Sequence, residues 1–142
     1  MNHDSYDPNL IRAVLQNTKR IAMVGASPNP ARPSNGVLRF LLSKGYDVVP
    51  INPGHAGKAI HGQTVVASLA DIEEPVDMVD VFRAADTLSA LVDEVLALRN
   101  RPKVIWGQLT VRNDEAAKKA EDAGITVIMD RCPAIEYPRL IG

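Results

Sequence analysis

A run of small residues follows the first apolar segment of the chain and has the character of an anion-binding turn. Gly25, Ala26 and Ser27 end that segment, and Ser34 stands where a helix is expected to begin. Small residues let a backbone approach a ligand closely, and the free amides of a helix start attract anionic oxygens. With the hydroxyls of Ser27 and Ser34 and the guanidinium of Arg32, the turn predicts a diphosphate site. The alternative is a loop whose serine only caps the helix.

Two common nucleotide-binding patterns are missing from this turn. Gly25 is its only glycine, so G-x-G-x-x-G is absent, and G-x-x-x-x-G-K-[ST] does not occur in the chain. The second apolar segment ends in Asn52, where an enzyme that binds NAD would carry Asp or Glu for the ribose. These absences disfavour ATP hydrolysis and nicotinamide chemistry. An NAD(P)-dependent oxidoreductase or a redox-sensing dinucleotide module is kept as the second hypothesis.

An arginine beside a phenylalanine ends the third apolar segment. A planar cation next to an aromatic ring can bind phosphate or stack on adenine, so Arg83 and Phe82 are predicted to belong to the same crevice. A surface salt bridge is the weaker alternative for Arg83. Trp106, the only tryptophan, ends the next strand and is expected either to line the crevice or to fill the core.

The remaining candidates for chemistry are two histidines, a lysine and the single cysteine. His55 and His61 have no partner at metal-ligand spacing, so no metal site is predicted. His55 and Lys58 can offer positive charge to a phosphate, with exposed loop residues as the alternative. Cys132 has no histidine partner in the pattern, so a structural role is favoured over a nucleophile. No pair of carboxylates is spaced for acid–base work, and no catalytic residue is predicted.

Short apolar segments alternate with amphipathic helical segments along the whole chain. Strands are predicted over 20–24, 46–51, 78–82, 103–106 and 126–129, and helices over 8–17, from Ser34 to Lys44, after a cap at Asp86, and between Asn113 and Gly124. This alternation indicates right-handed crossovers and a parallel sheet. We expect one α/β domain over 1–142, a Rossmann-like doubly wound sheet of about five strands with helices on both faces, in which 1–17 is an N-terminal helical arm. Ligands of such sheets lie where strand order reverses, usually between strands one and four.

Composition excludes several classes of partner. The 142 residues carry 16 Lys plus Arg against 17 Asp plus Glu, so no broad basic surface exists for nucleic acid or anionic lipid. A single cysteine excludes an intrachain disulfide framework. No 18-residue apolar segment and no export signal are present, so a cytoplasmic location without membrane contact is expected.

Five segments at the predicted strand ends form a recognisable series. They are Val24-Gly25-Ala26-Ser27, Gly45-Tyr46 leading to Pro50-Ile51-Asn52-Pro53, Ser68-Leu69-Ala70-Asp71-Ile72, Val79-Asp80-Val81-Phe82-Arg83 and Met129-Asp130-Arg131-Cys132-Pro133. Together they resemble the small stand-alone CoA-binding protein family, over about residues 8–140. That family is similar to the N-terminal CoA-binding domain of the succinyl-CoA synthetase α subunit and of NDP-forming acyl-CoA synthetases.

The resemblance implies that the chain binds CoA or acyl-CoA through its ADP portion at the carboxyl ends of the strands. The implied ligand contacts are Gly25, Ala26 and Ser27 as diphosphate loop, Ser34 as helix-start hydroxyl, Asn52 and Pro53 as nucleotide wall, and Phe82 and Arg83 as a clamp. Assignment of Arg32 and Lys58 to phosphates is an electrostatic inference. The resemblance breaks at Gly107 and Thr110, where the family more usually has a larger apolar residue and glycine. The residues that would contact the pantetheine arm are therefore not assigned.

The resemblance implies a non-catalytic role for the chain, and an enzyme is the less favoured alternative. Acyl transfer in the synthetases needs a phosphorylated histidine and a ligase partner that lie outside this domain. A protein partner or self-association is possible, and an interaction protein with a vestigial crevice is the third hypothesis. A separate expectation is that Cys132 forms a mixed disulfide with the thiol of CoA under oxidation.

Overall fold

Five short apolar segments pair in parallel to build the central sheet of the computed structural model, which describes residues 1–142. The strands are β1 Arg20–Val24, β2 Asp47–Ile51, β3 Ala59–Ile60, β4 Gln63–Thr64, β5 Met78–Val81, β6 Val104–Gly107 and β7 Thr126–Ile128. The helices are α1 Pro8–Asn17, α2 Pro33–Ser43, α3 Leu88–Leu96, α4 Asp114–Asp122 and α5 Pro133–Leu140. All four residues of β5 and of β6 are buried, which explains why both strands are apolar apart from Asp80 in β5.

The order of the strands puts a crevice beside β1. The five-stranded sheet runs β2-β1-β5-β6-β7, and a parallel bridge between Ile51 and Val66 adds a short outer segment beyond β2. When the five strands and this outer segment are numbered 1 to 6 along the chain, they lie side by side in the order 3-2-1-4-5-6. The order therefore reverses between β1 and β5, and the expected Rossmann-like topology is confirmed.

Two apolar cores lie on opposite faces of the sheet. Side chains alternate along each strand, so Met78 points toward α1, α2 and α5, whereas Val79 points toward α3 and α4. The predicted covering of both faces is thus confirmed. None of the helices combines the length and the apolar character that crossing a bilayer requires.

Helix starts agree with the sequence at two places and differ at two. The Asp7 carboxylate caps α1 and the Asn113 side chain caps α4, as their residue types predict. Helix α2 instead begins at Pro33, and the Ser34 hydroxyl is used elsewhere. Asp86 lies in a 3₁₀ turn before α3, so the predicted Asp86 cap is wrong.

Two elements were not predicted. The hairpin of β3 and β4 closes through His61 and Gly62, both with positive φ, which fits the two-residue turn that antiparallel strands prefer. Its strands have only two residues each, too few for an alternating pattern. Helix α5 carries Pro138 inside its span, and proline ordinarily indicates the end of a helix.

Candidate functional site

A cleft of about 600 Å³ lies over the carboxyl ends of the strands, and we call it the main cleft. Its walls come from four strand ends and from the starts of α2 and α5. The lining residues are Gly25, Ser27, Arg32, Pro33, Ser34, Val37, Asn52, His55, Phe82, Arg83, Ala84, Gln108, Leu109, Thr110, Val111 and Cys132. The structure thus brings seven of the eleven predicted contacts together in one concave site.

The main cleft has the charge expected of an anion site. No carboxylate lines it, although the chain contains 17 acidic residues. Arg32 and Arg83 line the cleft, and neither side chain forms an ion pair or a hydrogen bond with the protein. The Nδ1 atom of His55 is buried there without a partner. The site therefore offers unopposed positive charge and unused hydrogen-bonding capacity.

Gly25 makes the close turn after β1 possible. Its φ is +85°, and a Cβ at this position would stand 2.7 Å from the carbonyl oxygen of Phe82. The amides of Gly25 and Ala26 both donate to the carbonyl of Ile51, at 3.0 and 3.2 Å. A glycine is required here for both its backbone conformation and its lack of a side chain.

The start of α2 holds the turn in place. The amide of Ser27 donates to Ser34 Oγ at 3.1 Å, and Asn35 Nδ2 donates to the Ser27 carbonyl at 3.1 Å. Ser34 Oγ accepts in this bond, so its own hydrogen is free to donate into the cleft. The Ser34 amide, in the first turn of α2, has no acceptor within the protein.

Asn52 connects two strand ends. Its Nδ2 donates to the Ala26 carbonyl at 2.9 Å, and its Oδ1 accepts from the Gly54 amide at 3.0 Å. The side chain lines the main cleft, but its oxygen and one N–H are already engaged. Asn52 therefore acts first as a brace between the turns after β1 and β2.

A second depression of about 320 Å³, the side cleft, lies between the ends of β1, β2 and β5 and helix α3. Val24, Ile51, Val81 and Leu91 give it apolar walls, and Pro53 stands at its edge. Arg83 lines both clefts and so stands between them. The predicted nucleotide wall is thus divided between two adjoining clefts.

Three predicted contacts lie outside the main cleft and the side cleft. Trp106 is fully buried, because the alternation along β6 points it into the core under α1, α2 and α5, where Nε1 donates to the Arg131 carbonyl at 2.9 Å. The expectation that Trp106 lines the crevice is wrong. Ala26 is also buried in that core, and only its backbone faces the turn. Lys58 is exposed before β3 and lines neither cleft.

Gln108 lines the site but was not among the predicted contacts. It is 6% exposed, and its Oε1 is buried without a hydrogen-bond partner. A buried acceptor of this kind is costly unless a ligand or water supplies a donor. The signal in the sequence was its place immediately after the strand-end residue Gly107, a position at which polar side chains face ligands.

The comparisons with known proteins bear directly on this geometry. The family model described as CoA binding domain matches residues 19–138, from the residue before β1 into α5. The chain belongs to the CoA-binding domain family. The resemblance noted at the strand ends is confirmed.

Relatives extend the match over nearly the whole chain. This CoA-binding domain is 38% identical to the Bacillus subtilis protein YneT over 127 residues, which cover 89% of this chain and 91% of YneT. The solved structure of cell-free ID.343 from Thermus thermophilus is 43% identical with a TM-score of 0.89, covering 96% of this chain and 100% of that one.

A larger protein shares the fold. The dinucleotide-forming acetyl-coenzyme A synthetase 1 of Ca. Korarchaeum cryptofilum is 24% identical with a TM-score of 0.66. The match covers 79% of this chain and 26% of the synthetase. The CoA-binding domain therefore has the fold of about a quarter of that protein.

The two departures from the family pattern are linked by one loop. A Cβ on Gly107 would stand 2.6 Å from the carbonyl oxygen of Val111, so the loop lies against β6 only because residue 107 is glycine. Thr110 has a φ of +73°, which is unusual for a β-branched residue. Its amide donates to Asp130 Oδ1 at 2.7 Å, and Asp130 itself has a φ of +55°. The loop over this part of the cleft is strained.

Replacing Thr110 by glycine should relieve part of this strain. We expect the free energy of unfolding to rise by about 0.5 to 1 kcal/mol, the scale of removing a Cβ from a left-handed residue. Thr110→Ala, which loses the hydroxyl but keeps the Cβ, should give little of this gain. Urea unfolding at an unchanged m-value measures both variants. If Thr110→Gly were no more stable than Thr110→Ala, the claim that the backbone at Thr110 is strained would be wrong.

Proposed function

We propose that this chain binds CoA or acyl-CoA through the ADP portion and does not itself convert the ligand. The observation that carries the proposal is the main cleft, in which two unpaired arginines, Arg32 and Arg83, accompany a glycine turn and a helix start and no carboxylate is among the lining residues. Membership of the CoA-binding domain family supports the choice of ligand.

The two clefts fit the parts of such a ligand. The diphosphate would lie against the Gly25 turn, where the Ser34 amide and hydroxyl can donate to its oxygens. The adenine would enter the apolar side cleft beside Leu91, with Arg83 placed to contact both ring and phosphate. The pantetheine arm would then follow the main cleft across β5 and β6.

The ribose position argues against NAD. At the end of β2 an NAD enzyme uses a carboxylate to bind the ribose hydroxyls, and Asn52 holds this place with its oxygen already bonded to Gly54. A phosphorylated ribose does not need this carboxylate, because its phosphate binds cationic groups instead. The 3′-phosphate of CoA is therefore better suited to this site than the free hydroxyls of NAD.

Released ligand and thermal stabilisation test the proposal. Freshly purified protein is denatured, and small molecules that it releases are identified by mass. Thermal shifts are then compared for CoA, dephospho-CoA, NAD and NADP. We expect CoA to stabilise most, since any ligand that binds only the folded state raises the melting temperature. Stronger stabilisation by NAD or NADP would overturn the assignment in favour of the dinucleotide hypothesis.

Arg83→Ala should weaken CoA binding by about 1 to 3 kcal/mol, or roughly 5- to 150-fold, the scale of a charge-assisted contact. Arg39→Ala is the matched control, because Arg39 is an exposed arginine on α2 that lines neither cleft. Titration calorimetry measures both. An unchanged affinity in Arg83→Ala would remove this residue from the site.

A further inference from the structure

Cys132 is the only thiol of the chain, and the main cleft reaches it. The residue is 7% exposed, and it forms no disulfide. It lies directly before α5 and lines the main cleft, as Gly25 does. The binding of a nucleotide, as proposed above, makes no use of this side chain.

An unpaired acceptor lies in the same part of the cleft. Gln108 is 6% exposed, its Oε1 has no partner, and it stands at the end of β6, the strand next to β7. The pantetheine arm contains two amides, and either N–H can donate to this oxygen. Gln108 therefore marks where the arm would pass before it reaches Cys132.

The distances along the sheet match the length of the ligand. From β1 to β7 the order is β1-β5-β6-β7, which gives three strand spacings of about 4.8 Å, or ~14 Å in all. The arm from the phosphorus to the sulfur is about 13 bonds long, comparable with four extended residues, or ~14 Å. Cys132 follows Arg131, whose amide donates to the Gly107 carbonyl at the end of β6 at 3.3 Å, so it lies no farther from β1 than this span. A diphosphate held at the Gly25 turn thus leaves the sulfur within reach of Cys132.

We infer that Cys132 is a thiol–disulfide exchange site for CoA, so that the protein takes up CoA disulfide and keeps one half covalently. This inference rests on the proposed function. The Cys132 thiol loses its proton, and its sulfur attacks one sulfur of CoA disulfide. One S–S bond forms between Cys132 and CoA, the original S–S bond breaks, and the departing CoA thiolate takes a proton. The reaction needs no other oxidant, and a free thiol reverses it.

Intact-mass analysis follows the reaction directly. Reduced protein is mixed with CoA disulfide or, as the matched control, with glutathione disulfide, which lacks the nucleotide. We expect one adduct per chain, heavier by one CoA less two hydrogens, formed at least about tenfold faster than the glutathione adduct because binding positions the sulfur. Acetyl-CoA, which binds without a free thiol, should slow the reaction, and a reductant should reverse it.

Two variants and one separate measurement keep the outcomes distinct. Cys132→Ser and Cys132→Ala should give no adduct and should still be stabilised thermally by CoA. Equal rates with the two disulfides, or no adduct in a protein that acetyl-CoA stabilises, would overturn the exchange site and leave CoA binding intact. A protein that neither CoA nor acetyl-CoA stabilises would overturn the proposed function as well.

Discussion

Gly25→Ala should abolish detectable CoA binding and lower the free energy of unfolding by about 2 to 4 kcal/mol. Two costs add at this position. A φ of +85° disfavours any L-residue by about 1 to 2 kcal/mol, and the new Cβ would stand 2.7 Å from the Phe82 carbonyl oxygen. Relief of that contact must move the backbone of Phe82 and Arg83, which form one wall of the main cleft. Urea unfolding and calorimetry with CoA measure the two effects.

Gly45→Ala provides a control that separates the two costs. Gly45 has a φ of +90°, but nothing lies within 4 Å of the position its Cβ would take. It follows α2, away from both clefts, so its replacement should cost about 1 to 2 kcal/mol and leave CoA affinity unchanged. Equal losses of stability in the two variants, or normal CoA binding by Gly25→Ala, would show that the contact with Phe82 is unimportant.

Asp80→Asn should stabilise the protein at neutral and alkaline pH. Asp80 is fully buried in β5 between Met23 and Trp106, and neither carboxylate oxygen has a hydrogen-bond partner. Loss of hydration raises the pKa of this carboxyl well above its ordinary value of 3.8. At a pH between the ordinary pKa and the raised one, the folded protein therefore holds a proton that the unfolded chain releases.

The sign of the pH dependence follows from this difference. Below the ordinary pKa both states are protonated, and Asp80 adds no pH-dependent cost. As pH rises from that value to the pKa in the folded state, stability falls by up to about 1.4 kcal/mol for each pH unit, and the loss then levels off. Asparagine has nearly the same shape and cannot ionise, so the loss should disappear in Asp80→Asn.

Urea unfolding from about pH 4.5 to pH 8.5 measures this dependence. The stability difference between Asp80→Asn and the unmodified protein should grow with pH. Asp86→Asn, a change at an exposed carboxyl that forms no ion pair or side-chain hydrogen bond, should show no such growth. A difference that stays constant across the range would mean that the pKa of Asp80 is not raised in the folded state.

The strands and the crevice could be predicted because they depend on local patterns. Unbroken apolar runs such as 21–24 and 104–106 require burial on both faces, and a glycine-containing turn followed by a helix start can be recognised in the sequence. Arg83 could be predicted as a site residue because it directly follows the predicted strand 78–82, although β5 ends at Val81. The two-residue strands of the hairpin were not found, because so short a segment carries no periodicity.

The direction in which side chains point accounts for most of the errors at the site. Trp106 and Gln108 are separated by one residue, yet the first is sealed in the core and the second lines the main cleft. The strand β6 ends between them at Gly107, and the chain then turns, so alternation no longer holds. Where a strand stops is decided by pairing with its neighbours, which a single sequence does not reveal.

The bonds that hold the Gly25 turn to α2 also determine which chemical groups the turn can accept. The oxygens of Ser27 and Ser34 each receive an internal N–H, from Asn29 and Ser27, so each hydroxyl keeps its hydrogen and one of its two lone pairs for a ligand. The nearby Arg32 is a donor as well. Because most of its free groups are hydrogen-bond donors, the turn favours a deprotonated phosphate, which only accepts, over a group that can only donate, such as an amide N–H.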